Sequence, residues 1–146
     1  MPATLNHTGI TVGDLDAAVR LFEDVFGFQL ISRAPRDPDI ISRVIGVPGA
    51  LVEIAYMRND LGSTVELLAY SSPDNRRAYM PRACDIGSLH LGFNVDDIDA
   101  ILTKLHKHSV ELMGEVVIID AGPNKGSHIA YLRNPEGLVL ELIQAP

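Results

Sequence analysis

The chain has 146 residues, 47% apolar and 21% charged, an ordinary globular composition long enough to bury a sizeable core. Twelve Lys and Arg stand against 19 Asp and Glu, a net charge of −7, which excludes the basic face of a general nucleic-acid binder; four Phe, four Tyr and no Trp offer no base-stacking platform. No apolar run approaches the ~20 residues of a membrane span, MPATLNHTGITV lacks the basic-then-apolar pattern of a signal peptide, and Cys84, the only cysteine, allows neither an intrachain disulfide nor a thiolate metal site. A cytoplasmic location is the default expectation.

In chain order, residues 5–12 alternate polar and apolar, the period of a strand with two unlike faces. GDLDAAVRLFEDVFG follows, with Asp in its first turn, Leu15, Val19, Phe22 and Phe26 at helical spacing, and Gly27 as a stop. A strand is predicted over 28–33. RAPRDPDIISRVIGVPG (33–49) reads as an insertion that forms part of a cavity wall or a dimer contact, its RDPDIISR charges most simply as a solvated loop. Two more strands, 50–57 and 64–70, flank the turn NDLGS. The order then repeats: a strand over 88–95, a helix in DDIDAILTKLHKHSV with Ile98, Ile101, Leu102 and Leu105 in phase, and strands over 111–119, 127–133 and 138–144, the last two joined by NPEG.

The repetition extends to single residues. Ile54, Ala55, Tyr56, Arg58, Asn59, Gly62, Glu66 and Leu67 return at a constant offset as Ile129, Ala130, Tyr131, Arg133, Asn134, Gly137, Glu141 and Leu142. Near the start of each half, His7, Gly9, Val12, Asp14 and Asp16 return as His90, Gly92, Val95, Asp97 and Asp99. The prediction is an α+β chain, one domain over 1–146 built of two βαβββ modules, 1–75 and 84–146. Their sheets must pack together to be buried.

Four ionisable residues sit on these strands. His7 shares a strand face with Gly9 and Thr11, and His90 with Gly92 and Asn94. Glu66 lies between Val65 and Leu67, and Glu141 between Leu140 and Leu142. A buried carboxylate is costly unless it is paired or binds a metal, and neither strand offers a Lys or Arg. Any one of the four is as readily a hydrogen-bonded core histidine or a solvent-facing glutamate. As two symmetric pairs, His7 with His90 and Glu66 with Glu141, they make a candidate site of two imidazoles and two carboxylates. Such a donor set suits Zn, Ni, Co, Mn or Fe(II) and not calcium.

The NHTGITVGDLDAAVRLFEDVFGF opening, the SLHLGFNVDDID repeat and the YLRNPEGLVLELIQ ending together resemble the vicinal oxygen chelate superfamily, also called the glyoxalase/bleomycin-resistance/dioxygenase superfamily. The likeness covers essentially the whole chain. It implies paired βαβββ modules whose curled mixed sheets enclose a metal-binding cavity. It implies His7, Glu66, His90 and Glu141 as ligands of one divalent ion (Co, Ni, Zn, Mn or Fe), a small-molecule substrate and a homodimer.

The resemblance also orders the reactions. Glutamate at position 66 resembles the lyase and isomerase branch, whereas extradiol dioxygenases use two histidines and one carboxylate. Glyoxalase I normally carries an arginine where this chain has Thr11. The epimerase branch, which includes methylmalonyl-CoA epimerase, carries a catalytic glutamate in its third strand, where this chain has Glu53; by the internal repeat Glu53 corresponds to His128. The functional expectation is therefore a metal-dependent epimerase or isomerase that moves a proton beside a carbonyl. Glu53, Glu141 and His128 are its candidate proton-moving groups. Its substrate would be an acyl-CoA thioester or a polyhydroxylated ketone. Lactoylglutathione lyase, extradiol-type dioxygenase and a metal-free binding or resistance protein are the other readings.

Overall fold

The computed structural model describes residues 2–146. The elements run β1 (Thr8–Thr11), α1 (Leu15–Phe26), β2 (Gln29–Pro35), α2 (Pro38–Ile45), β3 (Leu51–Arg58), β4 (Thr64–Ser72), β5 (Leu91–Asn94), α3 (Ile98–Lys107), β6 (Glu111–Leu112), β7 (Val117–Ile118), β8 (His128–Arg133) and β9 (Val139–Gln144). The backbone divides into two compact units, Met1–Arg77 and Ala78–Pro146. Each carries one mixed sheet: β1-β4-β3-β2 in the first, and β5-β9-β8-β6, with β7 also on β8, in the second. Among the described residues no helix is long and apolar enough to cross a membrane.

The same local chemistry starts both long helices. The Asp14 carboxylate accepts from Ala17 N–H at 2.9 Å and Asp97 accepts from Ala100 N–H at 3.0 Å. Each satisfies a donor that the first turn leaves free, at a typical gain of about 1 kcal/mol. Helix α1 buries Leu15, Val19, Leu21, Phe22 and Val25, and Phe28 closes on Phe22 edge to face at 5.4 Å. Helix α3 buries Ile98 and Leu105. Each helix lies on its own sheet, α1 on β2 and β4, α3 on β9.

Strand register then decides which side chains share a face. In the first unit Ala55 stands opposite Leu67 and Met57 opposite Val65. All four are buried, and with α1 they form the core. In the second unit Ala130 stands opposite Leu142 and Leu132 opposite Leu140, again all buried. Burying one such leucine is worth about 1.5–3 kcal/mol. The alternate positions, Tyr56 with Glu66 and Tyr131 with Glu141, face the other way.

Two local expectations need correction. RDPDIISR (36–43) is not a solvated loop: β2 runs to Pro35, and Pro38–Ile45 form α2, whose N-cap Asp37 accepts from Asp39 and Ile40 N–H and which ends at Gly46. Pro at the first helical turn costs no hydrogen bond, and Asp before it caps the turn. The single strand over 111–119 is split into β6 and β7. Between the pairs Leu112–Leu132 and Val117–Ile129, this side of the ladder spends two residues more than β8 does. The excess at Met113–Glu115, which includes Gly114, bulges out.

The two hairpin turns are chemical copies in different surroundings. Gly62 N–H donates to Asn59 O at 3.0 Å, and Gly137 N–H to Asn134 O at 3.1 Å. The Asn59 side chain accepts from Ser63 N–H, and Asn134 from Glu136 and Leu138 N–H. Both glycines have positive φ, +85° and +98°. A Cβ at Gly62 would meet nothing within 4 Å, whereas one at Gly137 would lie 1.9 Å from the Tyr79 carbonyl oxygen. Gly62→Ala should therefore cost only the left-handed backbone penalty, about 1–2 kcal/mol. Gly137→Ala should cost about 3 kcal/mol or more, because the backbone at Tyr79 must also move. Urea unfolding of the two variants checks this; equal losses would contradict it.

Candidate metal centre

In the first unit the pairing of β1 with β4 is parallel, and it sets Gly9 opposite Glu66. His7 precedes β1 by one residue and lies on the same side as Gly9. The result is His7 Nε2 at 3.1 Å from Glu66 Oε2, with the two side chains 33% and 21% exposed. His7 Nδ1 is held by Asn6 Oδ1 at 2.7 Å, which leaves Nε2 directed at the carboxylate. Fixing one ring nitrogen in this way orients a ligand histidine.

The second unit repeats the arrangement. Gly92 stands opposite Glu141 in the parallel pair β5–β9, and His90 Nε2 lies 3.1 Å from Glu141 Oε2. The two side chains are 43% and 17% exposed. A Cβ at Gly92 would touch Glu141 Oε2 at 3.5 Å, so the glycine leaves room for the carboxylate. Tyr131, directly opposite Glu141, brings its ring to 5.0 Å from that of His90 and its hydroxyl to 3.4 Å from His90 Nε2. Burial first, and then the charge of Glu141, hold the Tyr131 phenol above its ordinary pKa. The hydroxyl thus keeps its proton at neutral pH.

Each pair has the spacing of two neighbouring ligands of one ion. Two ligand atoms on adjacent corners of a coordination shell, each about 2.0–2.2 Å from the metal, stand about 3 Å apart. The nitrogen–oxygen separation within each pair has that value, and imidazole with carboxylate is the donor chemistry of Zn, Ni, Co, Mn and Fe(II). His7 with Glu66, and His90 with Glu141, are thus the residues that could hold a metal. Among the described residues, no group of three or more His, Cys, Asp or Glu side chains is gathered that could hold one. What the structure brings together is the two pairs, each within its own unit.

Glu53 and His128 are not on the faces that carry these pairs. Glu53 stands opposite Ala69 in the ladder that sets Tyr56 opposite Glu66, so it points to the α1 side of the sheet. There the Arg33 guanidinium grips it with two hydrogen bonds, Nε to Oε1 at 3.0 Å and a terminal nitrogen to Oε2 at 3.1 Å, and also bonds Asp16 of α1. Two carboxylates raise the guanidinium pKa above its ordinary value, and Arg33 holds the Asp16 carboxyl below its own. His128 stands opposite Gln144, whose side chain accepts from Ile98 N–H of α3 at 2.8 Å; it lies on the α3 side. Glu53 and His128, expected from the sequence to flank the metal, thus lie on the helix sides of their own sheets. The segment 122–126 forms the ordinary hairpin link into β8, closed by Gly126 N–H to Ile119 O and Ile119 N–H to Ser127 O.

Two side chains beside these groups were not among the sequence-based candidates, Tyr131 and Arg33. Both follow from register, since Tyr131 is opposite Glu141 and Arg33 opposite Ala55.

Known proteins share this fold. The sequence model of the glyoxalase/bleomycin resistance protein/dioxygenase superfamily matches residues 4–142. The chain is 36% identical over 146 residues to a 2-epi-5-epi-valiolone epimerase from an Actinomyces species, covering 97% of this chain and 79% of that protein. It is 29% identical to a probable lactoylglutathione lyase of Vibrio parahaemolyticus (94% and 88% covered) and 28% identical to human mitochondrial methylmalonyl-CoA epimerase (97% and 73% covered). Among solved structures, a glyoxalase family protein from Bacillus cereus superposes with a TM-score of 0.84 at 29% identity, covering 99% of this chain and 95% of that one. With the family pattern spanning nearly its whole length and the mixed-sheet fold in common, the chain belongs to the glyoxalase/bleomycin resistance protein/dioxygenase superfamily.

Proposed function

We propose that the chain is a divalent-metal-dependent epimerase or isomerase that moves a proton on a carbon next to a carbonyl. The observation that carries the reading is the matched pair of imidazole–carboxylate contacts at 3.1 Å, one at the equivalent place in each half. The 36% identity to an epimerase supports the reaction class. In this reading His7, Glu66, His90 and Glu141 hold one ion. A bound transition-metal ion supplies the Lewis acidity that polarises a substrate oxygen and makes the neighbouring C–H acidic.

The chain's own residues do the rest. Inverting a stereocentre needs one group to remove a proton and another to return it to the opposite face. Glu141 is the proposed proton-moving group. Glu66, its counterpart by the internal repeat, takes the second place that Glu53 vacates, because Glu53 is bound to Arg33 on the other side of its sheet. His7 and His90 hold the carboxylates in line and do not themselves exchange protons with substrate.

For the substrate, the polyhydroxylated ketone is favoured over an acyl-CoA thioester. The 36% identity to a 2-epi-5-epi-valiolone epimerase, against 28% to methylmalonyl-CoA epimerase, supports that preference. Lactoylglutathione lyase is the second reading, supported by the Vibrio relative and opposed by Thr11. The protein is further proposed to act as a homodimer in the cytoplasm; light scattering at micromolar concentration tests the dimer.

Incubation in D2O with a cyclic polyhydroxylated ketone, followed by NMR, tests the reaction. Deuterium should enter at the carbon next to the carbonyl. Chelation should stop the exchange, and Co(II), Mn(II), Ni(II) or Zn(II) should restore it. Glu141→Gln should slow exchange by about 100-fold or more, while Glu53→Gln should stay within about threefold of the parent. Exchange lost in Glu53→Gln and kept in Glu141→Gln would overturn the assignment. Turnover of the glutathione hemithioacetal without ketone exchange would move the chain to the lyase reading, and oxygen uptake with a catechol to a dioxygenase.

A further inference from the structure

We propose that Arg133 is a positioning residue for His90: it fastens the segment 79–89, a strap laid against the β8–β9 hairpin, and the strap delivers His90 to its place beside Glu141. The inference rests on the metal-site reading above and makes the two chemically matched pairs unequal in how their histidines are held.

Each ligand histidine stands one residue ahead of its strand, His7 before Thr8 and His90 before Leu91, where the chain leading in shares in setting its ring. The first half uses a local device. The Thr64 hydroxyl donates to the Asn6 carbonyl, and Asn6 Oδ1 lies 2.7 Å from His7 Nδ1. The internal repeat puts Leu89 in the place of Asn6 and Val139 in the place of Thr64. An apolar side chain forms neither bond, so the second half has lost both.

The second half holds its lead-in from further back. Arg133, opposite Val139 in the ladder, donates from a terminal guanidinium nitrogen to the carbonyl of the buried Pro81 at 3.1 Å. At the tip of the same hairpin Gly137 leaves the space that the Tyr79 carbonyl fills. The strap is also braced within itself. Asp85 accepts from Arg82 N–H at 2.8 Å and from the Arg82 guanidinium at 2.6 Å. Asp85 N–H donates to Arg82 O and Ser88 N–H to Asp85 O, both at 3.0 Å. The chain is thus fixed at Pro81 and stiffened as far as Ser88, two residues before His90. Arg58, which the repeat matches to Arg133, is exposed, whereas Arg133 is half-buried. A guanidinium on a carbonyl is a charge-assisted bond, and losing it leaves a buried acceptor short of its donor. The competing reading is that Arg133 only steadies the fold. Its loss would then lower the melting temperature and leave metal affinity alone.

The test is titration of the metal-free protein with Co(II), followed by its visible d–d absorption, alongside the melting temperature of each metal-free variant. Arg133→Met keeps the aliphatic stem and removes the donor; it should bind Co(II) about 10-fold more weakly or worse, with an altered spectrum. Arg133→Lys, which keeps a donor, should recover most of the loss. Arg58→Met should stay within about threefold of the parent. In a His90→Ala background Arg133→Met should add no more than about twofold, because the group it positions is gone. Asp85→Ala loosens the strap without touching the hairpin and should also weaken Co(II) binding; it carries the test if Arg133→Met does not fold. Parent-like Co(II) binding by Arg133→Met, or by Asp85→Ala in its stead, would overturn the inference and leave the metal reading standing. A lowered metal-free melting temperature with unchanged Co(II) affinity would overturn it in the same way. So would equal weakening by Arg58→Met, or a loss that persists undiminished in the His90→Ala background. A parent protein that takes up no Co(II) would remove the metal reading itself and this inference with it.

Discussion

A carboxylate placed 3.1 Å from an imidazole, on a strand whose flanking residues are apolar and buried, is the constraint around which each half of this protein is arranged. An ionised carboxylate in such a place needs partners. Each half supplies them by the same device. A short strand entering the sheet in parallel sets a glycine opposite the glutamate, and a histidine just ahead of that strand turns its ring to the carboxylate. Helix α1 or α3 covers the other side and keeps the apolar positions dry. Without the parallel pairing the glutamate would be an unpaired charge on a half-buried strand. With it, each half ends in a two-atom clamp of the spacing a divalent ion accepts.

The division of each sheet into a helix side and a clamp side also organises the chemistry. Alternation along a strand is strict, so a residue an odd number of positions from the glutamate's cross-strand partner belongs to the core or to the helix contact. Glu53 falls on that side and is used there: with Asp16 it holds Arg33 and ties α1 to β2 and β3. The proposed proton transfers are left to Glu141 and Glu66, which the internal repeat makes equivalent. The 36% identity to an epimerase and the family assignment support that reading of a scaffold whose relatives also include lyases.

Much of this was legible in the sequence, and the rest can be traced to register. The duplicated segments, the Asp-capped helices and the apolar helix faces gave the α+β fold, the repeat and the family. The four residues of the clamps were found because two buried carboxylates without basic partners demand explanation. Helix α2 was missed although Asp37–Pro38 is a good start signal and Ile40, Ile41, Val44 and Ile45 keep helical spacing; the charges of RDPDIISR outweighed that pattern. Glu53 and His128 were placed beside the metal because one-dimensional alignment carries no face. The hairpin turns do carry it: once NDLGS sets Asn59 N–H on Ser63 O, Tyr56 must oppose Glu66, and Glu53 must point away. Tyr131 could have been found by the same count from NPEG.

The central proposal is that His7, Glu66, His90 and Glu141 serve one ion. Elemental analysis of protein purified without chelator or affinity tag tests it most directly, on the parent and on the Glu66→Gln and Glu141→Gln variants. The account predicts about one transition-metal ion per chain in the parent and a marked loss in both variants, since each removes a ligand from the same site. Two ions per chain, with each variant losing only one, would show two separate sites. No metal in the parent, even after soaking with Co(II), would show that the imidazole–carboxylate contacts are ion pairs in their own right and would leave a binding protein in place of an enzyme.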